Sequence, residues 1–590
     1  MPIMNIRIAS VSLGLILPLC TFAQGLHKEI NVEQKIEPVK REAARINLLP
    51  SLQLPPVARP QLSFSDRVVT AHVPNTINTL DPVAFGDRLY VSPYRGYVAL
   101  GLGAPLFNAT FSAGYRAIDN DRTRLSLWSQ YDGDIYTQTI PVTGGPSSSV
   151  KNYWRDHTAS IGADIHQAVG KESFIDGGLD YTYAYHTVPI GHLSYGQNVS
   201  RVNARAIFSS HEDALEYSAG LRYRHFGFYH LSAPAGYKYI YDKAPYSTVR
   251  QNIFGASITT KLAASDESSI GLDVDADFLR TGKSLTPVYP FNDNMAVNGP
   301  KTTGLVSITP HYDYSASTVH ARLGLQADLS VNDGKFFHIA PEASLAWTPS
   351  QIVGFEVKAH GGSSLNSLST LYDITPYISS FMTYGQSHIP YAFDGRITVG
   401  PFLGAYIEFF GGYAKANGWL MPTYVPATPG GAMFDRVDLS AWHFGAAIGY
   451  DYRKTLSARV SYETAPNDYD KSFYEWRDRA KHVVNAELKI RPIKPLLLSL
   501  DWEFRAGRRI YYTVVTDLDT SIPDHPLTIY TNEPTSLGCV SNLSLGAGFT
   551  VTDPLTIFAR GENLLNRRFY HLGERYSRGT TFLIGASLKF

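Results

Sequence analysis

Beyond Arg95 the chain alternates apolar and polar side chains with a period of two, the pattern of strands whose two faces meet different surroundings. In Val319–Val331, for example, Val319, Ala321, Leu323, Leu325, Ala327, Leu329 and Val331 share one face, while His320, Arg322, Gly324, Gln326 and Asp328 share the other. The split recurs where Ile270, Leu272, Val274, Ala276 and Phe278 oppose Gly271, Asp273, Asp275 and Asp277, and where Trp442, Phe444, Ala446, Ile448 and Tyr450 oppose His443, Gly445, Ala447, Gly449 and Asp451. It is seen again at residues 456–463 and 496–505. A soluble sandwich also alternates. Successive carboxylates such as Asp273, Asp275 and Asp277, however, suit a wall that faces enclosed water while its other side meets hydrocarbon.

The connections carry a second, independent signal. Short ones at residues 119–121, 170–172, 211–213, 265–267, 315–317, 348–350, 453–455, 491–495 and 552–554 are separated by mostly long spans, such as 281–301, 362–391, 417–435 and 512–535. Short turns on one rim and long loops on the other predict an all-β fold, a transmembrane antiparallel β-barrel of about 22 strands over residues 96–590. Both termini then lie on the periplasmic side, where the short turns are. No later stretch approaches the ~18 uninterrupted apolar residues of a membrane-spanning helix, and lipid leaves a closed barrel as the alternative that satisfies every backbone group.

The ends of the chain differ from this body. Residues 1–23 combine Arg7, an apolar run from Ile8 to Leu19 and Thr21-Phe22-Ala23, the pattern of a signal peptide for export; Leu17-Pro18-Leu19-Cys20 puts Leu19 where a lipoprotein needs a small residue just before the cysteine, which argues for ordinary cleavage over lipidation. Residues 24–95 carry repeated prolines without a sustained period and read as an irregular periplasmic or lumenal leader. At the other end Phe582, Ile584, Ala586, Leu588 and the terminal Phe590 share one face, an apolar surface closed by an interfacial ring.

Composition narrows the chemistry. With 18% charged and 13% aromatic residues, 38 Tyr and 48 Gly, the chain favours pleated structure over helical bundles or disorder. Basic and acidic residues balance at 52 each, so no basic footprint for nucleic acid exists. The cysteines are Cys20, inside the signal, and Cys539, which leaves the exported chain without an internal disulfide or a Cys-based metal site. Neither a Gly-x-Ser-x-Gly elbow nor a His-Glu-x-x-His pair is present, and the expectation is a chain that is not an enzyme and has no catalytic, cofactor-binding or metal residues. The acidic ladder Asp273, Asp275, Asp277 has Arg222, Arg224, Arg322 and Arg459 available on inward faces, so mutual neutralisation is favoured over cation binding. Strand-end tyrosines suit interfacial girdles. Tyr372, Tyr377, Tyr384, Tyr391, Phe473 and Tyr474 fall in expected loops and are the candidates for contact with a ligand or partner.

The segment Ala559-Arg560-Gly561-Glu562-Asn563-Leu564-Leu565-Asn566-Arg567-Arg568-Phe569-Tyr570, followed by Ser577-Arg578-Gly579-Thr580-Thr581-Phe582 and Leu588-Lys589-Phe590, resembles the ending of TonB-dependent receptors. Leu565 stands where that family has an aromatic residue, and Arg578 precedes Gly579 instead of following it. Residues 365–377 are similar to the region before a late strand of the same family. The resemblance implies a 22-stranded nutrient-importing barrel in the outer membrane of a Gram-negative cell envelope, with lipid as its surroundings. The face of Phe582, Ile584, Ala586, Leu588 and Phe590 resembles a C-terminal assembly signal, which implies the barrel-assembly machinery as a partner.

The family's folded plug of more than a hundred residues does not fit into residues 24–95. Glu29-Ile30-Asn31-Val32-Glu33 faintly resembles the box that binds TonB, but a plain leader peptide accounts for it as well, so TonB as a partner stays open. A wide lumen is normally obstructed, and the leader together with inward-folding loops is the expected filler. Two functions stay in play: uptake or passage of a solute across the outer membrane, and a non-transporting scaffold that holds a periplasmic or surface protein in an envelope complex.

Overall fold

The computed structural model describes residues 94–590 apart from 142–148, 191–192, 213, 233–249, 283–301, 377–384, 425–431, 466–479, 520–526 and 572–574. The signal, nearly all of the leader and the Glu29–Glu33 peptide lie outside the described residues.

Neighbouring strands pair antiparallel in chain order around the wall, from Gly96–Ala104 to Thr581–Lys589, and the last strand then pairs with the first. The sheet closes on itself as a ring of 22 strands, the number read from the sequence. Two further strands are upward continuations of ring members. Leu496–Ala506 runs on as Arg508–Asp519 past Gly507 (φ +72°), and the chain returns through Leu527–Leu537 into Val540–Thr552. Among the described residues closure leaves the 22-strand ring without a first or last edge strand, which is what a hydrocarbon environment demands of a sheet.

The pleat sorts side chains as the alternation predicts. Leu323 and Leu325 are 62% and 54% exposed on the outer face, where Ile270, Phe278, Trp442, Phe444 and Ile448 join them in an apolar belt. On the opposite face of the wall, Arg322 Nε donates to Asp313 Oδ1 at 2.7 Å and Arg459 to Glu408 at 2.6 Å. Arg222 holds both Asp275 and Asp277, and Arg224 reaches Asp277 at 3.1 Å, so two carboxylates of the acidic ladder are neutralised by arginines named from the sequence, while Asp273 lies 3.5 Å from His311. These pairs skip a strand. Arg222 lies opposite Gly255, which lies opposite Asp277, and a Cβ on Gly255 would strike both charged groups. Gly178 occupies the same place between Asp164 and Arg205. Some of the chain's many glycines therefore clear a path for ion pairs along the wet wall.

The turns at one rim are short, and the structure adds one that the sequence reading missed, Leu403-Gly404, with φ of +53° and +96°. The opposite rim departs from expectation in two ways. Pro105-Leu106 is a short connection there, and several spans read as loops are largely strand: Ala405–Tyr424 pairs with Ala432–Tyr452, and Arg508–Asp519 with Leu527–Leu537. Above the bilayer both faces of a strand are wet, so the alternation that reveals a strand inside the membrane is lost.

Candidate lumenal site

Within the expected loop 362–391 the strand Val353–Leu365 is followed by a helix, Leu368–Ile374. Ser367 caps it, its hydroxyl accepting from the backbone N–H of Thr370 at 3.1 Å, and Asn366 Nδ2 donates to Ser387 Oγ at 2.7 Å across the base of the loop. The helix turns into the barrel. Leu368, Leu371 and Tyr372 are buried in a cluster with Phe226, Phe228, Ile253 and Leu279 of the inner wall and with Leu420 and Phe434. Gln251 Oε1 accepts from the Leu368 backbone N–H at 2.7 Å. The Arg201 guanidinium lies 4.5 Å from the Tyr372 ring centre while donating to Asp373 at 2.7 Å. The Tyr372 hydroxyl meets His186 Nε2, and His186 Nδ1 faces Asp156 at 3.1 Å. Burial pushes the Tyr372 phenol far up, so it stays protonated. This short helix is thus fixed to the wall at its start, its centre and its end.

Beside the base of this loop the wall holds a cavity of about 440 Å³. Its lining comes from Asp333 and Lys335 in one connection, His338, Ser363, Gln386, Ser387 and His388 on the wall, and Asn417, Gly418, Arg436 and Asp438 beyond them. Arg436 donates to Asp333 at 2.9 Å and to the Gln386 carbonyl at 2.6 Å. Asp438 accepts from the Gly418 backbone N–H at 2.8 Å. The His338 and His388 rings lie 4.0 Å apart, and His388 Nδ1 pairs with Ser363 Oγ at 3.1 Å. Gln386 also donates to Thr303 at 3.1 Å and to the Gly304 carbonyl at 2.8 Å. The arrangement is a recess lined by polar side chains and glycine and braced by these hydrogen bonds.

The sequence candidates are placed unevenly. Tyr372 lies in the buried cluster just described. Tyr391 is not in a loop, as expected, but in the strand Gln386–Phe402, stacked on Tyr413 at 6.2 Å and beside Phe393 at 5.7 Å in the wall. Tyr377, Tyr384, Phe473 and Tyr474 lie outside the described residues. Phe582, Ile584, Ala586, Leu588 and Phe590 all point outward and exposed. Phe590 helps close the ring at the start of its first strand, its carbonyl accepting from the backbone N–H groups of Arg95 and Gly96 at 2.8 Å each.

The family-like ending has a structural explanation. Asn563 and Asn566 adopt φ of +47° and +48°, and the buried Asn563 amide donates to the carbonyls of Arg567 at 3.0 Å and Arg578 at 2.6 Å while accepting from the Arg567 N–H at 3.1 Å. Arg578 in turn pairs with Asp134 at 2.7 Å. The motif folds the last connection back on itself and, through Arg578 and Asp134, ties it to the strand Thr123–Pro141.

Sequence reasoning missed the helix and its seat. Phe226 and Phe228 share the parity of Arg222 and Arg224, so two aromatics on a face otherwise read as wet were the available signal. Among the described residues no group of three His, Cys, Asp or Glu side chains is placed to hold a metal ion.

No family model and no curated protein matches the sequence. Solved structures do match the fold. A ferric enterobactin receptor from Pseudomonas aeruginosa aligns with a TM-score of 0.60 at 9% identity, over 84% of this chain and 80% of its own. The FrpB iron transporter from Neisseria meningitidis gives 0.57 at 11% identity over 84% and 81%, and the siderophore receptor PirA from Acinetobacter baumannii 0.61 at 9% over 84% and 80%. The closed ring, its apolar outer belt and these likenesses together establish an outer-membrane β-barrel with the barrel fold of TonB-dependent receptors.

Proposed function

We propose that this barrel takes part in the uptake or passage of a solute across the outer membrane. The observation that carries the reading is the loop helix Leu368–Ile374, fixed inside the lumen beside a polar recess. A barrel that served only as a scaffold would have no need for a shaped binding surface within its water-lined interior. The structural neighbours are described as a receptor, a transporter and a siderophore receptor, which supports the same reading at the level of the fold. Specificity then resides in the upper lumen and the loops above it, and Tyr372 acts by holding the helix in place. Gentle isolation from membranes followed by mass spectrometry of everything retained is the test. A barrel carrying a small solute and no stoichiometric protein partner is expected; a stoichiometric partner and no solute would replace uptake with the scaffold role.

A further inference from the structure

We propose that the cavity between His338, His388, Asn417 and Arg436 binds a small, neutral, polyhydroxylated solute, a sugar or sugar-like polyol of mono- to disaccharide size. The inference rests on the uptake reading and names the substrate class for it. A volume of about 440 Å³ lies in the range of small-molecule sites, but most such sites are lined mainly by apolar side chains. This one is lined by carboxylate, amide, hydroxyl, imidazole and cationic groups. An apolar ligand would leave those groups without partners, at a cost for each one.

Charge narrows the class further. Asp333 and Asp438 balance Lys335 and Arg436 in the lining, and Arg436 already spends two donors on Asp333 and the Gln386 carbonyl. Asp438 is likewise engaged by the Gly418 N–H. An ionic ligand would have to break these compensated pairs and leave a charge behind. Hydroxyl groups, each both donor and acceptor, match a surface that offers both kinds of group without surplus charge. The imidazoles of His338 and His388, 4.0 Å apart and tilted to one another, add ring surface for the C–H side of a sugar ring. Gln386 and Ser387, both buried and hydrogen-bonded to Thr303 and to the Gly418 carbonyl respectively, hold the floor in shape before any ligand arrives.

The test is saturation-transfer NMR on the purified full-length chain in lauryldimethylamine oxide micelles, which carry no sugar. The probes are neutral hexoses, pentoses, N-acetylhexosamines and their disaccharides, with glucose 6-phosphate and a ferric catecholate chelate as charged competitors. Binding of at least one neutral sugar is expected, weakened tenfold or more by Asn417→Ala and by His388→Ala while the heat-modifiable gel mobility of the folded barrel is unchanged. Binding by none of the neutral sugars, binding that survives both substitutions, or preference for the charged probes would overturn the assignment. Sugar binding without sugar uptake by cells would remove the transport reading and leave the site; uptake of the ferric chelate without sugar binding would do the reverse.

Discussion

Asn563 shows how much one side chain can organise in this wall. Its left-handed backbone would cost roughly 1 kcal/mol in most other residues, and its amide makes three hydrogen bonds to the main chain of residues 567 and 578. Replacing it with alanine both strains the backbone and strips buried carbonyls of a partner, for a combined loss of about 3 kcal/mol. The urea midpoint of Asn563→Ala in lipid vesicles is expected to fall accordingly, with Asn563→Gly recovering about 1 kcal/mol of it because glycine accepts the backbone angle. An unchanged midpoint for the alanine variant would contradict this account of the motif. The segment was recognisable in the sequence as a pattern. Its role was not, because hydrogen bonds from a side chain to carbonyls up to 15 residues away leave no trace in periodicity. The ion pairs over Gly255 were half legible: alternation named the charged partners, but only the register shows that a glycine sits between them, and the Asp164–Arg205 pair over Gly178 was not named at all.

Among elements, the strands within the bilayer were the most legible, since lipid and water on opposite sides impose the strict alternation seen in Val319–Val331. Strand height was the least legible, as Ala405–Tyr424 and Arg508–Asp519 show. The helix Leu368–Ile374 was hidden for a different reason: it has seven residues, too few for a helical period to stand out, and its stability comes from the wall it meets. Leu371, fully buried against that wall, is its anchor. Leu371→Asp places an unpaired carboxylate in an apolar seat and should cost about 3 kcal/mol of docking. Because the ring of strands does not depend on the helix, the loss appears locally. Amide exchange over residues 368–374 is expected to accelerate roughly a hundredfold, with exchange in the strands unchanged. Equal acceleration in the strands would mean that the helix braces the barrel itself.

At the scale of the whole molecule, closure is what the sequence conveyed best: an even strand count and a last strand built to meet the first, with Phe590 stacked on Tyr115 at the seam. The polar recess was beyond its reach, because Asp333, His388 and Arg436 come together only when connections and strands far apart in the chain are folded. Everything about function depends on one physical arrangement, a ring whose outer side chains contact acyl chains and whose inner ones contact water. Spin labels placed singly along residues 322–326, in a Cys539→Ser background reconstituted in liposomes, read that arrangement directly through their collisions with oxygen and with a water-soluble nickel chelate. Labels at Leu323 and Leu325 should favour oxygen, and labels at Arg322, Gly324 and Gln326 the nickel chelate. Equal access to the chelate at all five positions would contradict the membrane barrel and every functional statement built on it.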